Sequence, residues 1–275
     1  MYRPVRSARR AGVRLRAHLG ARLASSSRRP HPAAGVPQRQ PAQGRRRAVA
    51  LLTASALLGG TLVLGSAGGA TADPQGGLRL MPLGDSITDG YTVPGAYRTR
   101  LWQRAAADGR VNDFVGSQVN GPPELGDHDH EGHTGWRIDE VDAQVKQWVR
   151  AADPQTVLLH IGTNDLNQDF DLANAPARLA ELITHVTEAA PEAEVFVADV
   201  IPMADPEWEK RVRAFNAEVP GLVQRLADTG KRVHFVPMHD ALTLDDLADG
   251  VHPDATGYAK MGDRWYEALA QGPWI

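Results

Sequence analysis

The 275-residue sequence contains no cysteine. That absence excludes disulfide staples, a thiolate nucleophile, cysteine-held zinc and lipid attachment through a thiol. A second absence is local: residues 1–72 carry thirteen arginines but no lysine, aspartate or glutamate. A segment with a single sign of charge does not build a folded core. Long uninterrupted apolar runs are missing too. The run from Ala48 to about Gly65 is broken by Gly59 and Gly60 and diluted with Ala, Thr and Ser, which argues against a permanent membrane span of ~20 apolar residues.

What these 72 residues do hold has an order. Arg45-Arg46-Arg47 precedes the apolar run, and small residues follow up to Ala70-Thr71-Ala72. Basic, apolar, small is the layout of an export signal. The expectation is cleavage after Ala72, by the twin-arginine or the ordinary secretory route, giving a secreted, extracellular protein with no stable membrane association. Cleavage would leave 17 of the 30 basic residues against all 33 acidic ones, a formal charge of −16. Such a surface repels nucleic acid and anionic lipid, whereas neutral ligands such as sugars meet no such barrier.

Residues 73–275 are the right length for a single domain, and they show no internal repeat and no linker after Pro74. Apolar runs of strand length recur at Leu78–Leu83, Val111–Val115, Thr156–Ile161, Glu194–Ile201 and Arg232–Pro237. Between them lie helical spacings, as in Ile138, Val141, Val145, Trp148 and Val149, or Leu179, Leu182, Ile183 and Val186. Alternation of strand and helix predicts a three-layer α/β/α domain with a five-stranded parallel sheet in flavodoxin-like order. In such a sheet, ligands bind beyond the carboxyl ends of the strands.

Four polar clusters fall at those ends. Gly84-Asp85-Ser86-Ile87-Thr88-Asp89-Gly90 follows the first run and presents a serine, although Ser and Asp are equally at home in a turn and helix cap. His133-Thr134-Gly135-Trp136-Arg137 follows a polar excursion from Gly121 to Gly132, and an unhindered glycine N–H there suits a developing oxyanion. His160-Ile161-Gly162-Thr163-Asn164-Asp165 offers an amide NH2 for the same purpose, or a helix cap. Asp249-Gly250-Val251-His252-Pro253-Asp254 puts a carboxylate within a turn's reach of an imidazole, ahead of a helix starting near Pro253 or Asp254. Together they supply a nucleophile, a base, an orienting acid and oxyanion donors. The stretch Asp127-His128-Asp129-His130-Glu131-Gly132-His133 competes as a transition-metal site, but no His-Glu-x-x-His helix is present and neighbours in a loop rarely converge on one ion, so it reads as a solvated rim and no catalytic metal is expected.

These blocks resemble, in order, the four motifs of the GDSL or SGNH hydrolase superfamily. The resemblance implies that Ser86 is nucleophile and first oxyanion N–H donor, that Gly135 and Asn164 complete the oxyanion hole, and that Asp249 and His252 complete the triad. Ile87 stands where the leucine that names the superfamily would be. The finer pattern, Met81-Pro82-Leu83-Gly84-Asp85-Ser86-Ile87-Thr88, Tyr97-Arg98, Phe114-Val115-Gly116-Ser117 and His130-Glu131-Gly132-His133-Thr134-Gly135-Trp136, is similar to carbohydrate esterase family 3. That group is associated with acetylxylan esterases, so the resemblance implies a monomeric serine esterase acting on acetylated polysaccharide or small esters. It implies no required cofactor and leaves room for a structural calcium of the kind some relatives bind. Asp85, Tyr91 and Trp136 flank the site in sequence and are candidate substrate contacts, with Trp136 fitting a sugar face or the core equally. A lipase or arylesterase of the same superfamily, or a catalytically silent carbohydrate-binding protein on the same scaffold, are the alternatives.

Overall fold

The computed structural model describes residues 77–272. The expected export leader, 1–72, lies outside the described residues, and among those described no helix is long and apolar enough to cross a membrane.

The sheet is built on β1 (Leu78–Gly84), whose seven residues are nearly all buried. The chain continues through α1 (Ser86–Asp89), α2 (Ala96–Ala107), β2 (Asn112–Phe114), β3 (Gln118–Val119), β4 (Asp129–Gly132), α3 (Ile138–Ala152) and β5 (Thr156–His160). It ends with α4 (Thr163–Asn167), α5 (Ala175–Ala189), β6 (Glu194–Ala198), α6 (Pro206–Asp228), β7 (Val233–Val236) and α7 (Ala255–Gln271). Strands β2, β1, β5, β6 and β7 are parallel neighbours in that order, which is the flavodoxin-like five predicted from the apolar runs.

One correction concerns the strand count. Two further short strands, β3 and β4, pair antiparallel with each other, and β4 pairs parallel with β1, so the sheet has seven strands. The stretch 129–132 carries none of the Val and Leu that mark a covered strand. His130 and Glu131 are nevertheless fully buried: both Glu131 oxygens are met by Ser117, and His130 Nδ1 accepts from the Gly132 N–H.

β2 and β4 share one edge of β1 lengthwise: β2 pairs with Leu78 to Leu80, and β4 with Leu83 and Gly84. Pro82 sits between these two stretches. The carbonyls of Leu80 and Gly84 both accept hydrogen bonds from this side, from Val115 and His133, and alternation puts the Pro82 nitrogen on it as well. A proline in a central strand is tolerated here because its missing N–H faces the gap where no ladder partner stands.

Side chains alternate across the sheet into two cores. Met81, Leu83, Val157, Leu159, Val195 and Val197 pack under α3, α5 and α6. Leu80, Leu158, Phe196, Ala198 and Val236 pack under α2 and α7. The apolar spacing of 138, 141, 145 and 149 is the buried stripe of α3, and that of 179, 182, 183 and 186 the stripe of α5. Gly132 lets α1 lie directly on the end of β4. A Cβ there would come within 2.4 Å of the Asp89 nitrogen.

Candidate active site

The sharp exit from β1 is closed by Asp85. Its carboxylate accepts from the Ile87 N–H (2.9 Å) and its carbonyl from those of Thr88 and Asp89, making Asp85 the cap of α1. Ser86 therefore becomes the first residue of a helix and its N–H has no helical acceptor. Asp85 itself is fully buried, which corrects its expected place among substrate contacts. Burial pushes its carboxyl up to about 6, against the opposing pull of the Ile87 N–H, the Thr163 hydroxyl and the charge of His252.

The Ser86 hydroxyl lies 2.8 Å from His252 Nε2. The other ring nitrogen, Nδ1, lies 2.8 Å from Asp249 Oδ2. Since the carboxylate can only accept, the proton sits on Nδ1 and Nε2 is left to accept from Ser86. The second Asp249 oxygen accepts from the backbone N–H groups of Val251 (3.0 Å) and His252 (2.8 Å), so one carboxylate both shapes the turn and orients the ring. Burial works against the charge of Asp249, but these three bonds and the attraction of His252 outweigh it and hold its pKa below the usual carboxylate value. The turn is anchored to the fold at both ends, by Ala248 N–H on the His252 carbonyl and by Ala204 N–H on the Gly250 carbonyl, both 2.8 Å.

Gly135 occupies the third position of a turn closed by the Trp136 N–H on the His133 carbonyl (3.1 Å), with φ +83°. A type II turn requires a positive φ there, which explains the glycine. Among the described residues nothing accepts from the Gly135 N–H. Asn164 is the second residue of α4, and its Nδ2 donates to the Trp136 carbonyl (2.9 Å). One amide hydrogen is thus spent on tying α4 to the Gly135 turn, and the other stays free. Next to Asn164, Asp165 is buried; its oxygens accept from the Ile138 N–H (3.0 Å) and from Arg178 (2.8 Å). Burial raises its pKa, which these two partners counter.

Tyr91 stands at the mouth, 65% exposed, with its ring 5.0 Å from that of His252. Trp136 turns inward instead. Its half-buried ring packs against the core beside Trp148 and stacks on His133, so what reaches the site is its carbonyl. The cleft of about 770 Å³ between α4, α5 and α6 is lined by no residue of the four polar clusters, and no chemistry converges on it.

The run from Asp127 to His133 is neither a rim nor an ion cage. Asp127 accepts from Phe114 and Asp129 N–H groups, and His130 Nδ1 from Gly132 N–H. Glu131 accepts from the Ser117 N–H and hydroxyl and pairs with His133 Nε2 at 2.6 Å. Among the described residues no three His, Asp or Glu side chains form a group that could hold a metal ion. Sequence reasoning missed Asp89, Asn120 and Arg98 as supports of this region. Arg98 is fully buried and donates to the carbonyls of Asn120 and His128, both at 3.0 Å, and to the Asn120 side chain at 2.7 Å. Burial lowers its pKa to about 10, while the carboxylates of Asp89, Asp127 and Asp129 keep it charged.

Comparison with known proteins agrees with this geometry. The GDSL-like lipase/acylhydrolase family model matches residues 83–260. A family 3 carbohydrate esterase of Clostridium thermocellum is 37% identical, covering 70% of this chain and 96% of its own, with a TM-score of 0.65. A family 3 carbohydrate esterase from Talaromyces cellulolyticus is 28% identical over 70% of this chain and 97% of its own, with a TM-score of 0.63. A multidomain esterase of Ruminococcus flavefaciens is 29% identical over 250 residues, 82% of this chain, which spans only 32% of that longer protein. The fold, the order of the motifs and these matches agree: the chain belongs to the GDSL-like lipase/acylhydrolase family of ester hydrolases.

Proposed function

We propose that this protein is a serine esterase that removes O-acetyl groups, with acetylated xylan or a related plant-wall polysaccharide as its substrate. The observation that carries the proposal is the chain of contacts from the Ser86 hydroxyl through His252 to Asp249, 2.8 Å at each step, in a chain of this family. In the proposed cycle His252 takes the Ser86 proton as the hydroxyl attacks the acetyl carbonyl. The oxyanion is bound by the N–H groups of Ser86 and Gly135 and the free amide hydrogen of Asn164. His252 then returns the proton to the departing sugar hydroxyl, and water hydrolyses the acyl-enzyme by the same route, releasing acetate. No cofactor takes part.

One feature of the site favours a carbohydrate. Tyr91 offers an exposed ring beside His252 on which a sugar face could stack. The neighbours include carbohydrate esterases, which supports the same substrate class. The order of residues 1–72, basic then apolar then small, supports export, cleavage after Ala72 and action outside the cell.

Acetate release from acetylated xylan, set beside hydrolysis of a long-chain aryl ester, tests the assignment. Faster turnover of the acetylated polysaccharide is expected, and equal or better long-chain activity would make the protein a lipase of the same family. Labelling by a phosphonofluoridate is expected at Ser86. A folded but unreactive protein would leave only carbohydrate binding.

A further inference from the structure

Resting on the assignment of the Gly135 N–H to the oxyanion hole, we infer that Asp89 and Thr134 are positioning residues for that donor. The turn that carries Gly135 is fixed at its two ends: the His133 N–H donates to the Gly84 carbonyl (2.9 Å), and Asn164 Nδ2 to the Trp136 carbonyl (2.9 Å). Its apex, Thr134 and Gly135, is exposed, with open space where a Cβ on Gly135 would stand. Among the described residues a single side-chain bond reaches the apex. The Thr134 hydroxyl donates to Asp89 Oδ2 at 2.7 Å.

Asp89 is the last residue of α1, the same four-residue helix that begins with Ser86. Its other carboxylate oxygen accepts from Asn120 Nδ2 (2.6 Å), which also donates to the Asp89 carbonyl (2.9 Å), and the buried Arg98 guanidinium grips the Asn120 side chain from behind. One rigid strut therefore connects nucleophile and donor: Ser86 at one end of α1, Asp89 at the other, and Thr134 one residue from Gly135. Because the bond joins residues 45 apart in sequence, it sets a distance that neither local segment fixes by itself. Without it, the turn keeps its ends but its apex samples orientations in which the glycine N–H points away from the oxyanion. The ground-state ester binds as before, and the transition state loses part of one donor.

The test uses the full chain and p-nitrophenyl acetate, with Ser86→Ala as the reference for a disabled nucleophile. Thr134→Val keeps the shape of an exposed side chain and removes the donor. It should lower kcat about tenfold, a fraction of the 10²- to 10³-fold loss that goes with deleting an oxyanion donor, at unchanged KM and unchanged unfolding midpoint. Thr134→Ser should restore kcat, since the hydroxyl alone matters. In an Asp89→Ala background, Thr134→Val should change nothing further, because the bond is already gone. Wild-type kcat in Thr134→Val, beside an inactive Ser86→Ala, would refute the strut, and so would a loss that Thr134→Ser does not recover. Turnover surviving in Ser86→Ala would instead strike down the esterase site on which the strut depends.

Discussion

Replacing Asn164 by alanine separates a catalytic role from a structural one, because the two make unequal demands on the same amide. Structurally, Asn164 Nδ2 makes one hydrogen bond, to the Trp136 carbonyl at 2.9 Å, in a side chain that is only just buried. Its loss should cost about 0.5–1.5 kcal/mol of folding stability, the ordinary net value of such a bond. In the proposed cycle, the remaining amide hydrogen faces a charge that forms only in the transition state. Removing one such donor costs about 10²- to 10³-fold in kcat, or roughly 3–4 kcal/mol. The rate should therefore suffer at least about twice as much in free energy as the fold does. Asn164→Asp sharpens the contrast: it preserves shape but turns an acceptor toward both the Trp136 carbonyl and the oxyanion, so its kcat should fall below that of the alanine variant. Steady-state turnover of p-nitrophenyl acetate, with urea unfolding of the same samples, reads both quantities. An alanine variant with kcat within about threefold of wild type would refute the oxyanion assignment, and one whose activity loss merely tracks its unfolding would reduce Asn164 to a structural link.

Three other outcomes follow from the same coordinates. Asp249→Asn can keep the backbone bonds to Val251 and His252 but must turn its NH2 toward Nδ1, stabilising the wrong imidazole tautomer; kcat at neutral pH should drop about 10³- to 10⁴-fold with the fold intact, and near-normal kcat would argue against the triad. His160 is fully buried with both ring nitrogens unpartnered, and burial lowers its pKa to about 4. The unfolded chain, titrating near 6.5, takes up the proton first, so stability complete above about pH 6.5 declines toward pH 4 by about 3 kcal/mol from this residue. His160→Leu should flatten that slope in urea unfolding at pH 7 and pH 4, and an undiminished slope would contradict it. Arg98→Met removes a buried cation and leaves the carbonyls of Asn120 and His128 without their donor, so it should cost about 3–5 kcal/mol by chemical unfolding, whereas a loss below about 1 kcal/mol would show that water replaces the guanidinium.

Much of this molecule could be read from its residues because hydrophobic patterning and chemistry-bearing clusters are local signals. Four of the five parallel strands announce themselves as runs rich in Val or Leu, and the turn Asp249 to His252 carries its geometry in a three-residue spacing. What escaped had no local signal. β4 is a strand made of Asp, His, Glu and Gly, and its burial is stabilised by partners that lie elsewhere in the sequence: Ser117 for Glu131, and Arg98 for the carbonyl of His128. A polar run reads as a solvated loop unless its partners are known, and those partners lie 14 and 30 residues away. Asp85 failed for a related reason. Proximity to Ser86 suggested contact with substrate, but a residue that caps a helix must fold its carboxylate back onto the backbone, away from the mouth of the site. Tyr91 carries no pattern of its own beyond its closeness to Ser86 in sequence, and its ring stands beside His252.

The arrangement also explains why a fold of this kind lends itself to oxyanion chemistry. Any helix that starts at the carboxyl edge of a parallel sheet must leave its first N–H groups without intrahelical acceptors. On the proposed mechanism Ser86 at the start of α1 exploits that unavoidable surplus, and α4, starting beside it, delivers Asn164 to the same edge. The donors cost the fold little, because the groups were unpaired in any case; what has to be built is their mutual placement. Apolar packing holds the sheet and the long helices, whereas the short elements around the site, α1, β4 and the 133–136 turn, are placed by directional bonds from Asp85, Asp89, Asn120, Glu131 and Asn164. Directional bonds fix angle as well as distance, which packing of small residues does not, and an oxyanion hole depends on both. Substitutions in the apolar cores should accordingly change stability before they change kcat per folded molecule, and substitutions in the polar network should do the reverse.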